Sequence, residues 1–159
     1  MGRGELIVIL GPTASGKTEL AIKVAQALNG EVISADSMQI YREMHIGTAR
    51  PLPEEQGGIA HHLMGFVAPD ANYSVACYQK DAHSAIQQIL ERGKQPILAG
   101  GTGLYLNSIL YDMDFAAAKP DVALRERLAK EYENSPEQMH ERLRKLDKDA
   151  AARIHLNDK

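Results

Sequence analysis

The apolar positions of this chain fall into two alternating patterns. Leu6-Ile-Val-Ile-Leu10 is an unbroken run of strand length, and Leu20, Ala21, Val24, Ala27 and Leu28 follow at helical spacing over residues 17–28, with Asn29-Gly30 as a helix stop. Glu31-Val-Ile-Ser34 predicts a second strand. Ala76, Ala82, Ala85, Ile86 and Ile89 predict a helix over 74–92 closed by Gly93, and Pro96-Ile-Leu-Ala99 a further strand. Helices are predicted over 104–110, 122–132 and 136–146, with another segment beginning at 150. Between 42 and 72, Gly47, Pro51, Pro53, Gly57, Gly58 and Pro69 break every period and predict an irregular insertion. The succession implies an α/β core over 1–118, a parallel sheet flanked by helices, and a helical segment over 119–159.

The first strand runs into Gly11-Pro12-Thr13-Ala14-Ser15-Gly16-Lys17-Thr18, which satisfies G-x-x-x-x-G-K-[ST] in the strand–loop–helix context that gives the motif meaning. Its backbone N–H groups can curl around a polyphosphate, Lys17 adds a point charge, and the Thr18 hydroxyl can reach Mg²⁺ where the helix dipole favours anions. The fold expected is therefore P-loop NTPase-like, with nucleotide or ATP binding among the functions such a loop serves. The second strand delivers Ala35-Asp36-Ser37 to the carboxyl edge of the sheet, where open α/β sheets bind ligands. The third runs into Gly100-Gly-Thr-Gly-Leu-Tyr105, a second glycine turn at that edge, with Thr102 as its reporting side chain. His61 and His62 are adjacent, so their side chains diverge and make a poor metal pair.

Composition narrows the class rather than the chemistry. The chain has 159 residues, 44% of them hydrophobic and 25% charged, enough for one α/β domain with a small appendage. A net charge of −3 argues against a wholly basic nucleic-acid binder. Its basic residues gather late, with 8 basic and 12 acidic side chains before residue 119 and 10 and 9 after it. Arg125, Arg127, Arg142 and Arg144 could close over phosphates, although such runs more often form solvated helix faces. Cys77 is the single cysteine, which excludes a disulfide framework and fits a reducing cytoplasm. No apolar stretch suits a membrane span, the first residues lack a signal h-region, and no protein partner can be inferred.

GPTASGKT at 11–18, ISADSMQIY at 33–41, IGTARP at 46–51, HHL at 61–63, AGGTGLYLNSIL at 99–110 and AARIHLND at 151–158 together resemble the tRNA dimethylallyltransferases, also called tRNA isopentenyltransferases. The resemblance spans nearly the whole chain. It implies transfer of the dimethylallyl group of dimethylallyl diphosphate to N6 of the adenosine 3′ of a tRNA anticodon, with Mg²⁺ as cofactor and tRNA as macromolecular partner. It also implies that Asp36, Ser37, Met38, Gln39, Thr102 and Arg125 touch tRNA, Arg125 through a loose D-x-x-x-R-x-R-L match. Family members continue past the I-H-x-N-D segment into a basic stretch, so residues 119–159 are expected to begin a longer tRNA-binding region.

The chemistry of the residues points the same way. An exocyclic adenine amine is a poor nucleophile, and a carboxylate that takes an N6 proton during attack lowers the barrier; Asp36 is the candidate base and Thr102 would orient it or the amine. Lys17, the loop amides and Mg²⁺ on Thr18 would stabilise the departing diphosphate. A small-molecule or nucleotide kinase would use the same loop and strand-end aspartate but leaves GGTGLY and HHL unexplained. An adenylate isopentenyltransferase is the near alternative, and a non-catalytic phosphate-binding remnant is a third.

Overall fold

In the computed structural model, which describes residues 5–111, 113, 115 and 121–158, four parallel strands form one sheet in the order β1-β4-β2-β3. They are β1 (Ile7–Leu10), β2 (Gly30–Ala35), β3 (His61–His62) and β4 (Gln95–Gly100). Helices α1 (Lys17–Leu28), α2 (Val75–Glu91) and α3 (Gly103–Leu110) flank it. Parallel strands need crossovers, and helices serving as crossovers cover both faces of a sheet. The alternation along β2 and β4 shows this. Val32 and Ile97 pack with Ala21 and Ala25 of α1, whereas Ile33 and Leu98 pack with Tyr78, Ala82 and Ile89 of α2 and with Leu106 and Ile109 of α3.

The irregular stretch between 42 and 72 carries more order than its composition predicts. A 3-10 turn spans Pro53–Gln56, and β3 pairs with β2 through Val32↔His61 and Ile33↔His62. A two-residue strand has no period to read, which is why it escapes sequence analysis. The stop after α1 also differs in detail. Asn29 takes the left-handed conformation, φ 51°, and Gly30 instead opens β2, where a Cβ would sit 2.7 Å from the Gln95 carbonyl oxygen.

β3 is held by an ion cluster around Glu31, a residue only 4% exposed. His62 Nε2 lies 2.6 Å from one carboxylate oxygen, Arg92 donates to that same oxygen at 2.7 Å, and Lys94 donates to the other at 2.8 Å. The cluster joins β2, β3 and the α2–β4 turn. Burial raises the Glu31 pKa, but Lys94, Arg92 and His62 together outweigh it and hold the carboxyl at about 2. Sequence gave no sign of it beyond an acid in a strand.

The residues after 114 form a second compact unit. It contains α4 (Val122–Asn134), α5 (Pro136–Leu146) and α6 (Lys148–Arg153). Asp121 caps α4 by accepting from the Leu124 N–H, and Asp147 caps α6 by accepting from the Ala150 N–H. Tyr132 and His140 close the unit through the carbonyls of Leu156 and Ile154. Arg127 and Arg142 both pair with Glu131, and Arg144 pairs with Glu141. The expected boundary at 118/119 lies outside the described residues. Among those described, no helix is long and apolar enough to cross a membrane.

Glu31→Gln should destabilise the protein at pH 7 by about 2 kcal/mol, less than a fully buried pair because Arg92 and Lys94 are partly exposed. The folded-state pKa of Glu31 is depressed, so its stabilisation is present above the ordinary carboxylate pKa and fades as pH falls from there toward 2. Urea denaturation of both proteins at a series of pH values should show the difference shrinking in acid; a constant difference would assign it to packing alone.

Candidate active site

Three strands end level. Leu10 of β1 pairs with Gly100 of β4, and Gly100 pairs with Ala35 of β2, so the next residues, Gly11, Gly101 and Asp36, start three loops side by side. The expected convergence of the two glycine turns is realised there. A Cβ on Gly101 would lie 3.2 Å from the Gly11 carbonyl oxygen, and one on Gly100 would overlap the Ala35 carbonyl. Thr102 then donates its backbone N–H to the Ala35 oxygen at 3.0 Å.

The phosphate loop turns through two left-handed residues, Ala14 at φ 64° and Gly16 at φ 80°. No side chain caps the start of α1, so its first N–H groups face the loop's concavity. Lys17 Nζ donates to the Pro12 carbonyl at 2.9 Å, which folds the ammonium back over the loop. A cavity of about 250 Å³ opens here, walled by Thr13 to Thr18, Asp36, Met38, Gln39 and Gly47 to Ala49. Lys17, Thr18, Asp36 and Gln39 also border a smaller pocket of about 20 Å³ that reaches Ala21, His61 and Met64. The Thr18 hydroxyl and Asp36 carboxylate are hard oxygen donors in one cavity wall, the kind Mg²⁺ takes beside phosphate oxygens. Among the described residues no cluster of three His, Cys, Asp or Glu could hold a metal alone, so an ion here would depend on the phosphates.

Asp36 divides its two oxygens between two tasks. Oδ1 accepts from the N–H groups of Met38 at 2.9 Å and Gln39 at 3.3 Å, forming the turn after β2. Oδ2 has no protein partner among the described residues. Thr102, expected to orient Asp36 or an incoming amine, does not bond Asp36: its hydroxyl accepts the Ser37 N–H at 2.9 Å and donates to Ser37 Oγ at 3.3 Å. It therefore acts on Asp36 through the adjoining turn. Beneath, Tyr78 donates to the Ser34 carbonyl at 3.0 Å and stacks on Tyr105 with 3.9 Å between ring centroids, so Tyr105 packs in the core.

Gln39 is turned inward. Its side chain is buried and its amide is committed, accepting from Ser34 Oγ and donating to the Thr48 and Ala49 carbonyls at 3.1 and 3.2 Å. It fixes the far wall of the cavity. Met38 is 47% exposed at the rim. The histidines separate as expected of neighbours: His62 joins the Glu31 cluster, and His61 turns toward the small pocket with Nδ1 on the Ile59 carbonyl and Nε2 buried without a partner among the described residues. Burial pushes the His61 pKa down from its ordinary value, which favours the neutral ring. Arg125 is described on an exposed position of α4 within the second unit.

A parallel sheet whose strand ends gather a phosphate loop, an aspartate and a second glycine turn defines a P-loop α/β protein. Residues 39–159 match the IPP transferase family, and the chain belongs to that family. It is similar to the tRNA dimethylallyltransferases of Alkaliphilus metalliredigens, 50% identical over 97% of this chain and 50% of that one, and of Alkaliphilus oremlandii, 53% identical over 96% and 49%. Among solved structures it is similar to the tRNA isopentenylpyrophosphate transferase of Bacillus halodurans, with TM-score 0.71 and 43% identity over 98% of this chain and 52% of that one. A eukaryotic dimethylallyltransferase captured acting on tRNA gives TM-score 0.79 and 35% identity over 98% and 39%. The chain spans about half the length of the curated relatives it matches.

Gly100→Ala drives a methyl group into the Ala35 carbonyl and should cost at least about 3 kcal/mol. Thr102→Val loses only the bonds to Ser37, about 1–2 kcal/mol, with Thr102→Ser recovering most of it. Chemical denaturation checks both, and equal effects would refute the close approach of β4 to β2.

Proposed function

We propose that this chain carries the donor-binding and chemical centre of a tRNA dimethylallyltransferase, moving the dimethylallyl group from dimethylallyl diphosphate to N6 of the adenosine 3′ of a tRNA anticodon. The observation that carries the reading is the Asp36 carboxylate, with one oxygen unpaired among the described residues, in the same cavity wall as Lys17 and Thr18. Membership of the IPP transferase family and the names of the relatives support it. Work on tRNA in the cytoplasm is part of the same reading.

The diphosphate lies in the concavity of residues 11–18, against the loop amides, the first N–H groups of α1 and Lys17. The adenine amine approaches from the side of Asp36. Its N6 lone pair forms the new bond to the allylic C1 while the C1–O bond breaks, and that electron pair leaves with the diphosphate. The N6 proton passes to Asp36 Oδ2, assistance worth about 10²–10⁴ in rate. Oδ1 stays bonded to the Met38 and Gln39 amides, so the carboxylate keeps its orientation through the transfer. Lys17 meets charge that grows as the diphosphate departs, an interaction stronger in the transition state than in the ground state. The Thr18 hydroxyl would hold a Mg²⁺ ion at this loop, and such an ion would supply further positive charge for the leaving group. Ser37 and Met38 form the rim that meets the RNA, and Thr102 steadies that rim from the facing loop.

Asp36→Asn should leave donor binding intact and lower transfer about 10²-fold or more. Lys17→Ala should lower kcat together with kcat/KM. Radiolabelled dimethylallyl diphosphate with tRNA, beside γ-labelled ATP with small acceptors, tests the reading itself. Prenylated tRNA supports it; label passing from ATP, or an Asp36→Asn variant that loses donor affinity while transferring at full rate when saturated, overturns it.

A further inference from the structure

The segment between Tyr41 and Arg50 is a short loop under unusual conformational constraint. Glu43, Gly47 and Ala49 all lie in the left-handed region, at φ 63°, 79° and 50°. Hydrogen bonds fasten it on every side. Thr48 Oγ donates to the Met44 carbonyl at 2.9 Å, the Arg50 guanidinium bonds the Tyr41 carbonyl at 3.0 Å and the His45 ring at 2.6 Å, and the Gln39 amide holds the Thr48 and Ala49 carbonyls. At its apex Ile46 stands 98% exposed, more than any other large apolar side chain described. A slack loop could fold such a side chain down onto apolar surface; this one is pinned and cannot. The next three residues, Gly47 to Ala49, are wall of the 250 Å³ cavity, and Met38 adds a second exposed apolar group at that wall.

We infer that Ile46 is a wedge that enters the base stack of the RNA substrate and takes the space left when the target adenosine turns into the cavity. The inference rests on the proposed transfer reaction. An adenine N6 can reach Asp36 only if its base leaves the stack, and enzymes that work on a base must unstack it. A branched aliphatic side chain on a rigid mount is the group that other proteins insert between bases for this purpose. Arg42, exposed beside the loop with its Nε on the Phe66 carbonyl at 3.1 Å, suits a flanking phosphate, while Arg50 is spent on pinning the loop.

The test uses an anticodon stem-loop RNA with 2-aminopurine at the target position, whose fluorescence rises on unstacking, titrated with the whole chain at low ionic strength where phosphate contacts are strongest. A dye on the RNA end reports binding by anisotropy. The wild type should bind with a clear fluorescence rise. Ile46→Ala should bind yet cut that rise at least about fivefold, and Ile46→Leu should restore it. Because the side chain is almost wholly exposed, both variants should melt within about 1 °C of wild type and bind diphosphate equally. An undiminished rise with Ile46→Ala, binding without a rise in the wild type, or no binding overturns the wedge. So does a change of self-association in Ile46→Ala with the rise intact, which would assign Ile46 to a protein contact. Prenyl transfer assayed separately keeps the two ideas apart: transfer at the same rate by wild type and Ile46→Ala leaves the reaction standing and removes the wedge.

Discussion

The site depends on how closely β4 can approach β2 at their carboxyl ends. Gly100 has no side chain, and the Ala35 carbonyl occupies the position where one would be. That contact lets Thr102 N–H reach the Ala35 oxygen and Thr102 Oγ reach Ser37, so the two loops are tied by three hydrogen bonds within a few residues. The Gly101 approach to Gly11 adds the phosphate loop to the same junction. A larger residue at either glycine would separate Asp36 from the phosphate loop. Catalytic groups on loops are useful only to the degree that the scaffold fixes them, and here the fixing element is an absence of side chains.

Most of this was legible in the chain, for identifiable reasons. Helix α1 spans the range its apolar spacing predicts, and α2 lies one residue inside its predicted range, because each buries one stripe against a sheet. The phosphate loop is readable because its residues must adopt particular backbone conformations whatever surrounds them. The two glycine turns and Asp36 could be placed together because strands of a parallel sheet all end on one edge.

What could not be read has a common physical cause: it depends on long-range partners. His61-His62 is a strand only because Val32 and Ile33 offer it an open edge. Glu31 is a buried acid only because Arg92 and Lys94, some sixty residues on, come back to it. Gln39 reads locally as a polar residue three positions after Asp36, and its inward turn follows from carbonyls that the 48–49 backbone exposes after an irregular path. Sequence spacing carries information about neighbours along a helix or strand, and none of these three contacts is of that kind.

The uncapped start of α1 has a thermodynamic consequence. Helices usually satisfy their first N–H groups with a Ser, Thr, Asp or Asn side chain, and α1 has Gly16 there with no side-chain bond. The protein's own stability is therefore lower than the same helix would give with a cap, and the deficit is made good by whatever anion docks on the loop. A ligand that binds only the folded chain adds RT ln(1 + [L]/Kd) to stability, about 2.7 kcal/mol at a hundredfold excess over Kd. Resistance to unfolding and proteolysis thus becomes a readout of anion occupancy at the loop.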